Sequence, residues 1–211
     1  MIDLHTHSFF SDGALIPSEL VRRAEARGLR GIGITDHGDA SNIDLIIPRL
    51  VNVAKQLNAV QKIKMIPGIE LTHVPPSQIG EVAEQARALG ARVIIVHGET
   101  VVEPVAVGTN SAAVRANIDI LAHPGLISLR DVEMAKERGI LLEITARGGH
   151  SITNGYVAAL AKKTGAKMVI NTDSHVPGDL ISKEFAKIVV KGAGLTEDDF
   201  QAMQNNALEF I

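Results

Sequence analysis

Short apolar runs alternate with longer helical stretches along almost the whole chain, and this alternation limits the folds open to it. Seven strand candidates stand out: Ile2–Thr6, Gly31–Thr35, Lys64–Leu71, Arg92–Val96, Ile118–Ala122, Ile140–Ile144 and Lys167–Asn171. Most are continuously apolar, the pattern of a parallel sheet covered on both faces. Helix signals fall between them. Pro17-Ser18-Glu19 opens a helix that stops near Gly28, since proline suits the first helical position. Ser77 is placed to cap a helix ending at Gly90, while Ser128 with Asp131 and Thr196 with Asp199 have capping-box spacing. Gly139 and Gly165 stand where helix C-caps belong. Repeated βα units predict a parallel α/β architecture, either an open doubly wound sheet or a closed barrel. No G-x-G-x-x-G follows the first strand, and Gly31 and Gly33 lie within the second, so a dinucleotide site is not supported. The stretch from Gly98 to Asn117 reads equally as a helix or as a long loop over the top face. With no linker or composition shift, the 211 residues are expected to form one domain, 1–211.

Composition removes several classes of chemistry. There is no Cys, which excludes disulfides, thiolate catalysis and sulfur metal ligands. Lys+Arg total 21 against 24 for Asp+Glu, with no basic stripe, so long nucleic acid is not the expected partner. Aromatic residues make up 3% and Trp is absent, which leaves no base-stacking platform. No apolar run approaches the roughly 20 residues of a membrane span. The expectation is a soluble, cytoplasmic protein with no membrane partner.

The strand ends carry the chemistry. The first supplies His5 and His7 with Asp12 just beyond, and the second supplies Asp36 and His37. The third ends at Glu70, the fourth at His97 and the fifth at His123; the sixth carries Glu143, and the seventh runs into Asp173 and His175. In parallel α/β folds this edge is where ligands bind. His5 and His7 are two apart, so on a strand both project from one face. Taken singly, each of these residues has an ordinary reading: a hydrogen-bonded loop histidine, a helix cap, a turn aspartate in Ser11-Asp12-Gly13. Taken together, six of the eight histidines fall at equivalent positions. Imidazoles and carboxylates that converge need a shared positive charge to offset desolvation and repulsion. With nitrogen and oxygen donors only, Zn²⁺, Mn²⁺ and Fe²⁺ are all admissible. His73 and His150 lie a few residues beyond strand-end acids and are placed at the mouth of such a site. Arg147, in the Gly-flanked Ala146-Arg147-Gly148-Gly149-His150, is placed to clamp an anion through its planar fork.

His5-Thr6-His7, Ser11-Asp12-Gly13, Thr35-Asp36-His37, Pro67-Gly68-Ile69-Glu70, His97, Leu121-Ala122-His123-Pro124 and Thr172-Asp173-Ser174-His175 together resemble the PHP (polymerase and histidinol phosphatase) superfamily of metal-dependent phosphoesterases. The resemblance implies a distorted (βα)₇ TIM-like barrel with two or three divalent ions at the C-terminal strand ends. Carried over by position, His5, His7, Glu70 and Asp173 would hold one metal, with Glu70 bridging to a second. His97 and His123 would take the second, and Asp12, His37 and His175 a third; some relatives place His where Asp12 stands. Glu143 would lie behind the ligands. The implied activity is hydrolysis of a small phosphomonoester, histidinol-phosphate-like, with Glu70, Asp173, Arg147 and His150 as candidate catalytic residues. Asp36, Glu143, His73 and His150 are candidates for the acid that protonates the leaving alkoxide. Three alternatives remain: a phosphodiesterase on nucleotides or short oligonucleotides, an amidohydrolase-like metal hydrolase, and a non-catalytic metal-bound module. The steps of 32 and 33 residues from position 5 to 37 to 70 favour the PHP pattern over the amidohydrolase one.

Overall fold

A computed structural model describes all residues, 1–211. Its strands are β1 (Ile2–Asp3), β2 (Gly31–Ile34), β3 (His37–Gly38), β4 (Lys64–Leu71), β5 (Val93–His97), β6 (Ile120–Ala122), β7 (Leu141–Thr145) and β8 (Met168–Asn171). They pair in the order β1-β2-β4-β5-β6-β7-β8, with every pairing parallel. β3 continues β2 after a break at Thr35 and Asp36 and also pairs with β4. The seventh position returns to the first: Thr6 and Ser174 form a parallel bridge, and Asp173 N donates to His5 O at 2.9 Å. The result is a nearly closed, seven-position (βα)₇ barrel rather than an open doubly wound sheet.

Side chains finish the seam where the backbone ladder is short. Leu4 N donates to Asn171 Oδ1 at 2.9 Å, and the Thr172 hydroxyl donates to Asp3 Oδ2. Burial pushes the Asp3 carboxyl up to about 6, against the hydrogen bonds from Thr172. Gln204, on the last helix, accepts from Ile2 N and donates to Ile2 O, so the outer edge of β1 is not left unpaired.

Eight helices surround the strands: α1 (Pro17–Ala26), α2 (Ile43–Val60), α3 (Ile79–Ala88), α4 (Thr109–Ala113), α5 (Leu129–Arg138), α6 (Asn154–Thr164), α7 (Lys183–Gly192) and α8 (Glu197–Leu208). None is long and apolar enough to cross a membrane. Several boundaries follow their sequence signals. Pro17 opens α1, Ser128 accepts from Asp131 N, and Thr196 with Asp199 makes a reciprocal capping box. Gly139 and Gly165 end their helices in the left-handed region. One boundary differs: α3 starts after Gln78 with no side-chain cap, so Ser77 does not cap it. The stretch 98–117 is mostly loop, with only the short α4 inside it. The longest helix, α2, buries Ile43, Ile46, Ile47, Leu50 and Ala54, a stripe at helical spacing.

Two apolar layers hold the fold. A cluster of 49 buried residues lies largely between helices and strands, and a second of 10 includes Ile66, Val93, Ile95, Ile120, Leu141 and Val169. Following every second residue upward from that smaller cluster changes its character. Ile66 leads to Gly68 and Glu70, Val93 and Ile95 to His97, Leu141 to Glu143, and Val169 to Asn171 and Asp173. The same face is apolar at the bottom and ionisable at the top.

The barrel is narrow at Gly33. A Cβ on Gly33 would lie 2.4 Å from Leu4 O, whereas one on Gly80, in α3, would meet nothing within 4 Å. Gly33→Ala is therefore expected to destabilise the protein by about 1–3 kcal/mol or more. Gly80→Ala should stabilise it by roughly 0.5 kcal/mol through helix propensity. Urea midpoints of the two variants test both signs.

Candidate metal centre

Each strand end delivers its side chain to one point. His5 lies at the centre, fully buried: its Nδ1 is 2.8 Å from Glu143 Oε1, and its Nε2 is 3.3 Å from Glu70 Oε1 and 3.7 Å from Asp173 Oδ1. His7 Nε2 stands 3.1 Å from Asp173 Oδ1 and 3.7 Å from Glu70 Oε2. His123 Nε2 lies 3.6 Å from Glu70 Oε1 and 3.8 Å from Asp173 Oδ2. Toward solvent, His37 Nε2 and His175 Nε2 lie 3.4 Å and 3.3 Å from Asp12 Oδ1. Candidate ligand atoms of His7, Asp12, His37 and His175 fall within 4.8 Å of one another; so do those of His5, His7 and Glu70, of His5, His123 and Asp173, and of His97, His123 and His150.

The backbone is bent to make this possible. The only non-glycine residues with positive φ are His73 (53°), His123 (26°) and Asp173 (52°), and all three are at this rim. Such conformations cost about 1–3 kcal/mol each and persist where the surroundings over-determine them.

Burial and like charge set the protonation states against one another. Burial works against charge on His5, yet Glu143, Glu70 and Asp173 hold its imidazole well above the ordinary range. Burial, with neighbouring imidazoles, holds His7 and His123 well below it. Burial opposes ionisation of Glu70, but His5 and His37 pull its carboxyl far down; Asp173 is pushed far up by burial and then by Glu70 and Glu143. His37 is raised to about 10, because Asp12 and Glu70 outweigh its burial. The set is not fully hydrogen-bonded. Five buried atoms in it have no hydrogen-bond partner: His5 Nε2, His7 Nδ1 and Nε2, Glu70 Oε1 and His123 Nδ1. Unpartnered buried donors and acceptors are costly, and imidazole plus carboxylate is the donor set of a divalent transition-metal ion. The residues fit such an ion.

Around the ligand set stand residues that hold it. Glu143 accepts from Asn171 Nδ2 at 2.8 Å and from His123 N at 3.1 Å besides contacting His5. Asp36 does not point into the site. Its two oxygens take four bonds from Ser8 and Ser11, backbone and hydroxyl, which fold the loop carrying Asp12. Arg147 reaches the mouth with Nη1 3.0 Å from Asp179 Oδ2, and His150 packs on His123 at 4.2 Å between ring centroids with Nδ1 2.7 Å from the Thr100 hydroxyl. Asp179 also accepts from His175 N, so it ties two rim residues together.

Residues 3–102 match the PHP domain family model. An uncharacterised protein of Methanocaldococcus jannaschii is 51% identical over 94% of this chain and 92% of its own length. The chain belongs to the PHP family. A Thermoanaerobacter protein named "Probable phosphatase" is 27% identical over 94% of this chain and 88% of its own. The fold recurs in a chain of archaeal ribonuclease P with mature tRNA, at TM-score 0.74 and 15% identity over 98% of this chain and 89% of that one. It recurs also in a Listeria monocytogenes protein described as "putative histidinol phosphatase hisK", at TM-score 0.64 and 13% identity over 85% of this chain and 97% of that one. As a PHP protein the chain is a hydrolase of the metal-dependent phosphoesterase class.

Two rim residues escape sequence reasoning: Glu103, whose carboxylate lies 3.1 Å from His97 Nε2, and Asp179. Neither ends a strand, and only the loop folds bring them in. Glu143, by contrast, can be tested as the scaffold of the PHP centre. Glu143→Ala would strand His5 Nδ1, Asn171 Nδ2 and His123 N in a dry site, and should cost about 3 kcal/mol or more in the metal-free protein. Glu143→Gln keeps two acceptor contacts and should cost less. Denaturant melts of both variants measure the difference.

Proposed function

We propose that this chain, as one catalytic unit spanning 1–211, hydrolyses a small phosphomonoester at a centre of two or three divalent cations. The observation that carries the reading is the set of five buried, unpartnered nitrogen and oxygen atoms converging at the strand ends. His5, His7, Glu70 and Asp173 would hold one cation, Glu70 with His97 and His123 a second, and Asp12, His37 and His175 a third. When bound, such cations supply Lewis acidity, which brings the pKa of water toward neutrality and offsets charge on phosphoryl oxygens.

The chain's own groups supply the rest. A cavity of about 260 Å³ opens above the centre and is lined by no hydrophobic residue, which suits a phosphoryl group better than an apolar ligand. Arg147 contributes to its wall, and the guanidinium N–H groups engaged by neither Asp179 Oδ2 nor Asp173 O are free to bind phosphoryl oxygens in plane. Asp179 sets the angle of that fork. His150, oriented through Nδ1 by Thr100, turns Nε2 to the mouth, where it handles the proton of the departing alkoxide. Of the other acids weighed for that role, Asp36 is spent on Ser8 and Ser11, and Glu143 on His5, His123 and Asn171.

The deciding experiment is a screen of phosphomonoesters and diesters against protein reconstituted separately with Zn²⁺, Mn²⁺ and Fe²⁺. Monoester turnover is expected with at least one ion, together with two or more equivalents of metal by elemental analysis; no uptake under replete conditions refutes the centre. Glu70→Gln should lower kcat by at least a hundredfold while circular dichroism stays unchanged. Arg147→Ala should raise KM for monoesters about tenfold with a smaller change in kcat, the pattern of a lost binding contact.

A further inference from the structure

Glu103 lies on the loop between β5 and α4, outside the ligands assigned above. Its side chain is 37% exposed, so water is available to both oxygens. Both turn inward instead. Oε2 stands 3.1 Å from His97 Nε2 and 3.5 Å from His73 Nε2, and Oε1 stands 3.3 Å from His150 Nε2. Candidate ligand atoms of His73, His97 and Glu103 fall within 4.8 Å of one another. Two donors each about 2.1 Å from one tetrahedral cation lie about 3.4 Å apart, and the separations here are of that size.

The loop is built to hold this position. Glu99 Oε1 accepts from Gly108 N and Asn110 N, while Asn110 Oδ1 accepts from Glu99 N and its Nδ2 donates to Pro124 O. These bonds close the segment 99–110 on itself and pin it to the loop after His123. The closure is tight, since a Cβ on Gly125 would lie 1.9 Å from Glu99 O and one on Gly98 2.3 Å from Ala122 O. Thr100, buried in the same segment, carries the hydroxyl that fixes His150. A wandering surface loop would need none of this.

We propose that Glu103 is a further cation ligand, a loop-borne carboxylate that joins His97 and His123 and adds a second anion beside Glu70. The proposal rests on the metal-centre reading above and extends it by one residue. A hard oxygen donor at this position moves the donor set toward ions that favour carboxylate, Mn²⁺ above all. It also couples loop order to cation binding, because the segment 99–110 would then be tied to the ion as well as to itself.

The test is calorimetric titration of metal-free protein with Mn²⁺, comparing wild type with Glu103→Gln, Glu103→Asp and the surface control Glu84→Gln. Wild type and the control should bind the same number of ions with the same affinities. Glu103→Gln should lose one ion or bind its weakest ion at least tenfold less tightly, with an unchanged melting temperature before metal is added. Glu103→Asp, which keeps the charge on a shorter arm, should fall between. Hydrogen exchange of residues 100–108 should slow on Mn²⁺ addition in wild type and not in Glu103→Gln. A Glu103→Gln isotherm within twofold of wild type overturns this assignment while leaving the centre standing; wild-type protein that takes up no Mn²⁺ overturns both.

Discussion

Everything at the top of this barrel depends on one electrostatic constraint. Imidazoles and carboxylates are gathered at one point, the deepest of them shut off from water, and five of their nitrogen and oxygen atoms have no hydrogen-bond partner. Asp173 is driven toward its neutral form while Glu70, a few ångströms away, is held ionised; His5 is held charged while His7 and His123 are held neutral. A compact positive charge that accepts several lone pairs at once resolves the conflict, which is what a divalent ion does and a proton cannot.

The rest of the fold is arranged to tolerate that constraint. The lower half of the inward face is mostly Ile, Val and Leu, and the helical shell buries a continuous apolar cluster around it. Stability therefore comes from layers that do not touch the site. The upper half spends it: three left-handed non-glycine residues and a row of desolvated charges sit there together. Glu143 links the halves. It lies one step above Leu141 on the inward face, and its two oxygens serve the His5 imidazole, a strained backbone N–H at His123 and the seam amide Asn171. Polar satisfaction at this single carboxylate keeps the candidate metal site and the barrel closure in register.

Most of the framework is legible in the sequence because parallel strands buried on both faces must be apolar throughout, and because caps such as Thr196–Asp199 and Gly139 are local chemistry. α2 shows where that legibility ends. Its Asn42 side chain accepts from Asp39 N and donates to His37 O instead of capping the helix, and Pro48 sits inside it, so the local signals argue against the longest helix in the molecule. Only its buried stripe against β4 explains it. The same division runs through the site. Residues placed by strand register, from His5 to Asp173, can be found by position alone. Glu103 and Asp179 cannot, since their places are set by loop closure. Arg147 was readable as an anion clamp, but the carboxylate that aims it was not.

Depth separates the proposed ligand groups by physical character. His5 and Glu70 have no exposed side-chain surface, whereas Asp12 is 56% and His37 27% exposed. An ion held by the first pair would have its charge answered by protein alone, and stripping its water is the main cost of binding there. An ion at Asp12, His37 and His175 would keep contact with solvent and exchange more readily. Arg147 stands on this outer side, tied through Asp179 to the backbone of His175. A phosphate ester entering the cavity thus meets the guanidinium and the outer ligands first, and the deep ligands only after it has shed its own water. On this geometry a cation at the inner group would be part of the fold, and one at the outer group would lie on the substrate path.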